Sequence, residues 1–346
     1  MKIENFDIGK DGVFIIAELS ANHNGSLDTA LETVRAAKRS GANCIKLQTY
    51  TADTITLNSN KDDFLIKNTG NEWDGKTLHE LFQGAYTPWE WHFEIIQLAK
   101  KEGLICFSSP FDFTAVDFLE KLNVPAYKIA SFEITDIPLI EYIASKGKPI
   151  IISTGIAIEE DIELALDACK RMGNNQIALL KCTSSYPAPI DDANLVMIKD
   201  LQEKYNVFSG LSDHTLGITA PIVATSLGAQ IIEKHFILDQ SVGGPDAFFS
   251  LNEKEFKEMV KAVRDTEKGM GIIDYSLNEK QKKSRHFSRS LFISKDVKSG
   301  ETISKENIKS VRPGTGLHPK YYNEVLGRKF NNNFEFGEPL SIDKIE

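Results

Sequence analysis

From residue 13 to about residue 270, short apolar runs are separated by longer amphipathic stretches, a rhythm that predicts repeated strand–helix units. Eight runs read as strands: 13–17 (VFIIA), 43–49 (NCIKLQT), 104–108 (LICFS), 126–130 (AYKIA), 149–153 (PIIIS), 177–182 (IALLKC), 206–211 (NVFSGL) and 230–236 (QIIEKHF). Each precedes a stretch with helical spacing. In the first of these, Ser26 is placed to cap the helix, Leu27, Ala30, Leu31, Val34 and Ala37 share one face, and Gly41 sits where helices commonly stop. Eight strands alternating with eight helices over about 250 residues fit an α/β architecture of the (β/α)8 TIM-barrel type. An eight-stranded doubly wound sheet is the alternative on pattern alone.

The rhythm stops after about residue 275. A polar linker, 276–284, leads into a small β-rich domain expected over 285–346, and the barrel takes 1–275. Within the small domain KDVKSGETIS and NNFEFGEPLS echo each other as polar turn, glycine and acid. A polar stretch from Asp53 to Thr87, with Trp73 inside it, interrupts the barrel pattern after the second strand and is a candidate lid, because insertions of that length are usually functional.

Composition narrows the partners. Hydrophobic residues are 41% and charged residues 26% of the 346, the balance of a soluble globular chain. The net charge of −9 and the lack of a long basic run argue against nucleic acid or an anionic membrane, so an anionic substrate would need a local basic pocket. The start carries no leader pattern and no apolar run is long enough to span a bilayer, so a cytoplasmic chain is expected. Cys44, Cys106, Cys169 and Cys182 form no CxxC pair and read as reduced packing residues.

In such barrels the active site lies at the carboxyl ends of the strands, and these ends are rich in polar residues. The period of two puts Lys46 and Gln48 on one face, opposite Ile45 and Leu47. If the aliphatic residues meet the helices, Lys46 points inward, where an ammonium requires a carboxylate or a bound anion. Lys128 repeats the pattern, followed by Ser131 and Glu133; solvated lysines at ragged ends are the alternative. Ser108-Ser109-Pro110 and Ser153-Thr154-Gly155 end two further strands, where hydroxyls and helix-start N–H groups suit a phosphate, or simply cap a helix. The seventh strand leads into Ser212-Asp213-His214-Thr215, and the eighth puts Ile231, Glu233 and His235 on one face. Two imidazoles on neighbouring strands would hold a divalent metal and leave positions open for substrate. Either alone would read as structural. Glu18 ends the first apolar run as a candidate acid/base or hydroxyl acceptor, and Asn22 to Gly25 form a polar turn.

The segments IIAELSANHNG, IKLQT, SSPF, YKIAS with Glu133, STG, CTSSYP, GLSDHT, EKHF, GGPD and VRPGTG resemble the sialic acid synthase family. In that family phosphoenolpyruvate condenses with an N-acylated hexose on a metal-bearing barrel, and the tail resembles its antifreeze-like, or SAF, domain. The resemblance implies that Lys46, Lys128, Ser131, Ser153, Ser212 and Ser109 bind phosphoenolpyruvate, and that His214 and His235 hold a metal, usually manganese, with magnesium or cobalt as substitutes. It implies that Glu18, Tyr186 and Asp246 lie near the sugar and Glu133 and Glu233 in the catalytic centre; Gln48, beside Lys46, is a further candidate for substrate binding. Arg312 would come from the partner subunit of a domain-swapped homodimer. SANHNGS, QTYTADTITL, TPWEWH and GLHPKYY resemble the branch whose acceptor is the N-acylated 6-deoxyhexose 2,4-diacetamido-2,4,6-trideoxy-L-altrose. Ser184 stands where the N-acetylneuraminate synthases usually have Asn near the sugar, and Ser109 replaces a usual Thr. The competing readings are a synthase for N-acetylneuraminic or legionaminic acid and, in another class, a non-catalytic carbohydrate-binding barrel.

Overall fold

The computed structural model describes residues 1–67 and 74–346, so Trp73 lies outside the described residues. A short antiparallel hairpin, β1 (Lys2–Ile3) and β2 (Phe6–Asp7), comes first and is too brief for an alternation pattern to reveal. Its Ile3, with Ile8 just after it, is fully buried in the cluster that includes Phe14, Ile16 and Phe107.

The predicted strands form a closed ring of eight: β3 (Phe14–Glu18), β4 (Cys44–Thr49), β5 (Ile105–Pro110), β6 (Tyr127–Ile129), β7 (Ile150–Ser153), β8 (Ile177–Cys182), β9 (Phe208–Asp213) and β10 (Ile231–His235). They follow sequence order around the ring, with β10 pairing in parallel with β3. The TIM barrel is therefore correct and the open sheet is excluded.

Several strands run further toward their carboxyl ends than the apolar runs suggest. Glu18 is still paired with Lys46 and with His235, Gln48 with Ser109, and Asp213 with Lys234. A polar side chain ends a hydrophobic run without ending the backbone ladder. At the other end of β9, Asn206 adopts a left-handed conformation (φ 52°) and terminates the helix Met197–Tyr205, which removes it from the strand predicted at 206–211.

The period of two stacks the barrel's inward face from apolar to polar. Phe14 and Ile16 share a face with Glu18, Cys44 with Lys46 and Gln48, Phe107 with Ser109, and Ile231 with Glu233 and His235. The outer faces pack under helices such as Leu27–Arg39, where Ser26 Oγ accepts from Thr29 N at 3.2 Å and Ala30, Val34 and Ala37 are buried. Gly41 takes φ 89° at its end, and a Cβ there would come 3.1 Å from Val260.

Among its described residues, the insertion after β4 contains the helix Ala52–Ile55, a 3-10 turn at Asp62–Phe64 and the helix Leu78–Ala85, whose capping box joins Thr77 and Glu80. Helices Trp89–Glu102 and Glu253–Met270 are the longest of the barrel layer among the described residues.

Contacts divide the chain into Met1–Gly271 and Ile272–Glu346. The stretch read as a linker contains a short helix, Glu279–Ser284, capped by Asn278. Beyond it, β11 (Ser290–Ile293) pairs antiparallel with β12 (Ile308–Val311) over a core including Leu291, Ile303, Phe330 and Leu340. The sequence echo is a structural one. Glu301 accepts from Lys298 N at 3.1 Å and Glu338 from Glu335 N at 2.8 Å, each around a left-handed glycine, Gly300 (φ 79°) or Gly337 (φ 88°). Bridging of Val297 to Phe334 pairs the two copies antiparallel.

Candidate active site

Two lysines and two glutamates meet inside the barrel near the carboxyl ends of its strands, and all four are buried. The Lys46 ammonium on β4 contacts the Glu18 carboxylate on β3 and lies 3.4 Å from both Glu233 Oε1 and Ser109 Oγ. Lys128 Nζ on β6 donates to Ser153 Oγ at 2.6 Å and to the Ile129 carbonyl at 3.1 Å, and stands 3.9 Å from the same Glu233 oxygen. Ser212 Oγ donates to Glu233 Oε1 at 3.3 Å.

This cluster is loosely satisfied. Its contacts to Glu233 are long beside the roughly 2.7–2.9 Å of a tight charge-assisted hydrogen bond. Glu233 Oε2 has no hydrogen-bond partner among the described residues. Burial pushes the Glu18 carboxyl up to about 7, with Lys46 pulling the other way. Burial acts on Glu233 in the same sense, but Lys128 and Lys46 outweigh it and hold that carboxyl below its ordinary value. Burial depresses Lys128, only partly offset by Glu233. A phosphate or carboxylate placed among Lys46, Lys128, Ser109, Ser153 and Ser212 would complete the pairing.

The serines owe this role to position rather than to capping. Asp112 caps the helix Phe113–Lys121 through both Thr114 N and Ala115 N, and Ile158 precedes the helix Glu159–Arg171, its N–H bonded to Asp161. The expectation that these helix starts offer N–H groups to a phosphate is thus corrected for the first, where an acid occupies them. Ser131 Oγ accepts from Ile156 N at 3.0 Å and from Ser184 Oγ at 2.7 Å. Gly155 permits this approach, since a Cβ there would fall 2.2 Å from Ser184 Oγ and 2.6 Å from Ser131 Oγ.

His235 ends β10 and His214 follows β9 directly, so ring neighbours bring the imidazoles to a centroid separation of 5.3 Å. His214 Nδ1 faces the Thr183 carbonyl at 3.1 Å, which places its proton there and leaves Nε2 a lone pair. His235 Nδ1 is buried without a hydrogen-bond partner, 3.7 Å from Asp246 Oδ2. Burial lowers both imidazoles below their ordinary range, His235 strongly, and so favours the neutral ligating form. The separation suits two rings on one ion with metal–nitrogen bonds of about 2.1 Å. No third ligating side chain completes a metal-binding group among the described residues, so an ion here would keep positions for water and substrate.

Beside this charged floor opens a cavity of about 550 Å³. Ser20, Gln48, Glu133, His235 and Asp246 give it a polar side. Gln48 Nε2 donates to Glu18 Oε1 and to Ser20 Oγ, both at 3.1 Å, and Ser20 Oγ donates to Asp246 Oδ2 at 2.5 Å. Burial raises Glu133 to about 7, and its Oε2 has no partner among the described residues. The Tyr186 ring lies 4.4 Å from that of His214, and Phe249 packs on both histidines and on Tyr186. Ile55, Leu78, Leu81 and Phe82 of the candidate lid also line it.

Of the residues singled out from sequence, Arg312 belongs to the second unit, exposed directly after β12. The Asn22 to Gly25 turn is architectural: Asn22 Nδ2 donates to Phe236 O at 3.0 Å and Ser250 Oγ at 2.9 Å. Three contributors went unread in the sequence: Ser20, Phe249, and the buried pair Asp213–Lys234, where Lys234 Nζ donates to Asp213 Oδ2 at 2.6 Å and Thr215 O at 2.5 Å. The period of two could have flagged Lys234, which must face away from Glu233 and His235.

Residues 33–275 match the model of the NeuB family, and residues 288–346 that of the SAF domain. The pseudaminic acid synthase of Campylobacter jejuni is 52% identical over 340 residues, covering 98% of each chain. The pseudaminic acid synthase of Helicobacter pylori is 50% identical, covering 96% of this chain and 97% of its own. Among solved structures, an N-acetylneuraminic acid synthetase from Leptospira borgpetersenii superposes with a TM-score of 0.73 at 32% identity, over 82% of this chain and 94% of that one.

Proposed function

Since this chain belongs to the NeuB family and carries a SAF domain after its barrel in sequence, we propose that it condenses phosphoenolpyruvate with 2,4-diacetamido-2,4,6-trideoxy-L-altrose to give pseudaminic acid and phosphate. The carrying observation is near-full-length identity of 50–52% to pseudaminic acid synthases, against 32% to the N-acetylneuraminic acid synthetase.

The residues supply the chemistry. Lys46 and Lys128, with Ser109, Ser153 and Ser212, bind the phosphate and carboxylate of phosphoenolpyruvate, which adds an anionic partner to ammonium groups whose contacts to Glu233 are long. Ser131 and Ser184 extend that polar rim. His214 and His235 would hold a divalent metal, manganese in the first instance, which when bound supplies Lewis acidity toward an aldehyde oxygen. Gln48, Ser20 and Asp246 orient sugar hydroxyls, with Glu18 behind Gln48 and Tyr186 at the rim. Carbon three of phosphoenolpyruvate attacks the aldehyde, water adds at carbon two, and phosphate leaves with C–O cleavage. Glu233, ionised beside the site, takes the proton of the water, and Glu133, with its carboxyl near 7, is the second candidate for that transfer.

A non-catalytic sugar-binding barrel has no use for two buried lysines and partnerless carboxylate oxygens. The deciding experiment offers the altrose derivative, its legionaminic-pathway counterpart and N-acetylmannosamine separately with phosphoenolpyruvate and measures phosphate release. The altrose derivative is expected to dominate, and preference for another sugar refutes the assignment. In heavy-oxygen water the label is expected on carbon two of the product and not in phosphate. The proposed setting is the cytoplasm.

The proposed assembly is a domain-swapped homodimer in which Arg312 approaches the sugar's N-acyl group in the partner's barrel. Mixing inactive Arg312→Ala and Lys128→Met chains should then restore activity through one intact site per mixed dimer. No recovery after subunit exchange argues against the swap.

A further inference from the structure

The helix Leu78–Ala85 has an apolar face that serves no protein core. Leu78, Leu81, Phe82 and Ala85 follow the spacing i, i+3, i+4, i+7 of a buried stripe. Yet no residue of this helix is buried, and none of these four belongs to a hydrophobic core cluster. All four line the cavity instead. Tyr50 and Phe111 line the same cavity, and buried Tyr50 meets Phe82 edge-on at 5.7 Å and Phe111 at 5.2 Å. His79 ties the helix to Asp53 at 2.9 Å, and the capping box fixes its start.

An apolar stripe on a sugar cavity is uneconomical for an ordinary hexose, whose hydroxyls would lose water there without gaining partners. It suits a sugar that carries methyl groups. We propose that this stripe, with Phe111, selects the acceptor by receiving its methyl-bearing end, the C6 methyl and the methyl of the 4-acetamido group. The inference rests on the condensation reading above, because it takes the aldehyde carbon to lie at the His235 side of the cavity. Carbons four to six are then left to meet the apolar stripe that lines the same cavity. The insertion after β4 thereby sets which sugar reacts, while the barrel strands set what reaction occurs.

The test compares kcat/KM for the trideoxy sugar and for the same sugar bearing a hydroxyl at carbon six, in wild type, Leu81→Gln and Leu78→Gln. Wild type should favour the 6-deoxy sugar by about 10–100-fold, the range an apolar pocket achieves against an added hydroxyl. Each variant should bring the ratio toward unity, chiefly through a higher KM for the 6-deoxy sugar, with KM for phosphoenolpyruvate unmoved. Thermal midpoints near wild type, expected for side chains outside any core, confirm that folding is not the cause. A ratio unchanged in both variants, or a wild type indifferent to the hydroxyl, overturns the inference while leaving the condensation reading intact. A wild type that turns over neither sugar refutes the condensation reading, and this inference falls with it.

Discussion

Lys46 and Lys234 are both buried lysines on barrel strands, both paired with a carboxylate on the neighbouring strand, and they differ in which face they occupy. Lys234 points into the helix layer. Its ammonium has Asp213 Oδ2 at 2.6 Å and Thr215 O at 2.5 Å, while Thr215 N donates to Asp213 Oδ1 at 2.9 Å. Lys46 points inside, contacting Glu18 and sharing Glu233 with Lys128 across gaps of 3.4 and 3.9 Å, and one oxygen of Glu233 has no hydrogen-bond partner among the described residues. Closed hydrogen bonding marks a pair that holds the strand ends carrying His214 and His235 in register. The incomplete hydrogen bonding around Glu233 is what the proposed anionic substrate would fill.

Breaking each pair should separate the two roles. Lys128→Met is expected to lower kcat/KM by roughly 10³-fold or more, about 4 kcal/mol of transition-state stabilisation, with little change in unfolding. Steady-state kinetics beside a denaturant titration checks this, and a large stability loss with intact turnover would reverse the comparison. Lys234→Met should instead cost about 3–5 kcal/mol of stability, because Asp213 is left buried and unpaired. Replacing Asp213 by Leu in the same chain should recover much of it.

Glu133 sharpens the contrast through pH. Burial raises its carboxyl from the ordinary 4.5 to about 7. A group raised in the folded state stabilises fully below its unfolded pKa, and that contribution fades as pH rises from about 4.5 through about 7. Glu133→Gln should therefore gain up to about 3 kcal/mol over wild type at pH 8 and nothing at pH 4, while losing activity. Equal stability differences at both pH values would place the carboxyl in a solvated setting. The smallest expected effect is Gly155→Ala. By displacing the Ser131 and Ser184 hydroxyls it should raise KM for phosphoenolpyruvate by about 1–2 kcal/mol in binding terms, with kcat nearly kept.

Much of this was legible from residue order. The two-residue period placed Lys46 beside Gln48 and Glu233 beside His235, and the structure puts all four on the interior face or lining its mouth. It also carried enough information to send Lys234 to the other face. What the pattern misjudged were the strand ends at Glu18, Pro110 and Asp213, since hydrophobicity falls there before the hydrogen-bond ladder does.

The sequence by itself determined the strand–helix repeat, the second domain with its duplicated turn and, through its motifs, the family. Those are local properties, set by periodicity and turn chemistry within a few residues. Ring closure was decided only in three dimensions. Pairing of β10 with β3 joins residues more than two hundred positions apart, and it brings Glu18 and Lys46 to Glu233 and His235. The same folding turned an amphipathic helix in the insertion toward a cavity instead of a core. Periodicity states that a face is apolar, but which surface that face meets depends on contacts distant in sequence.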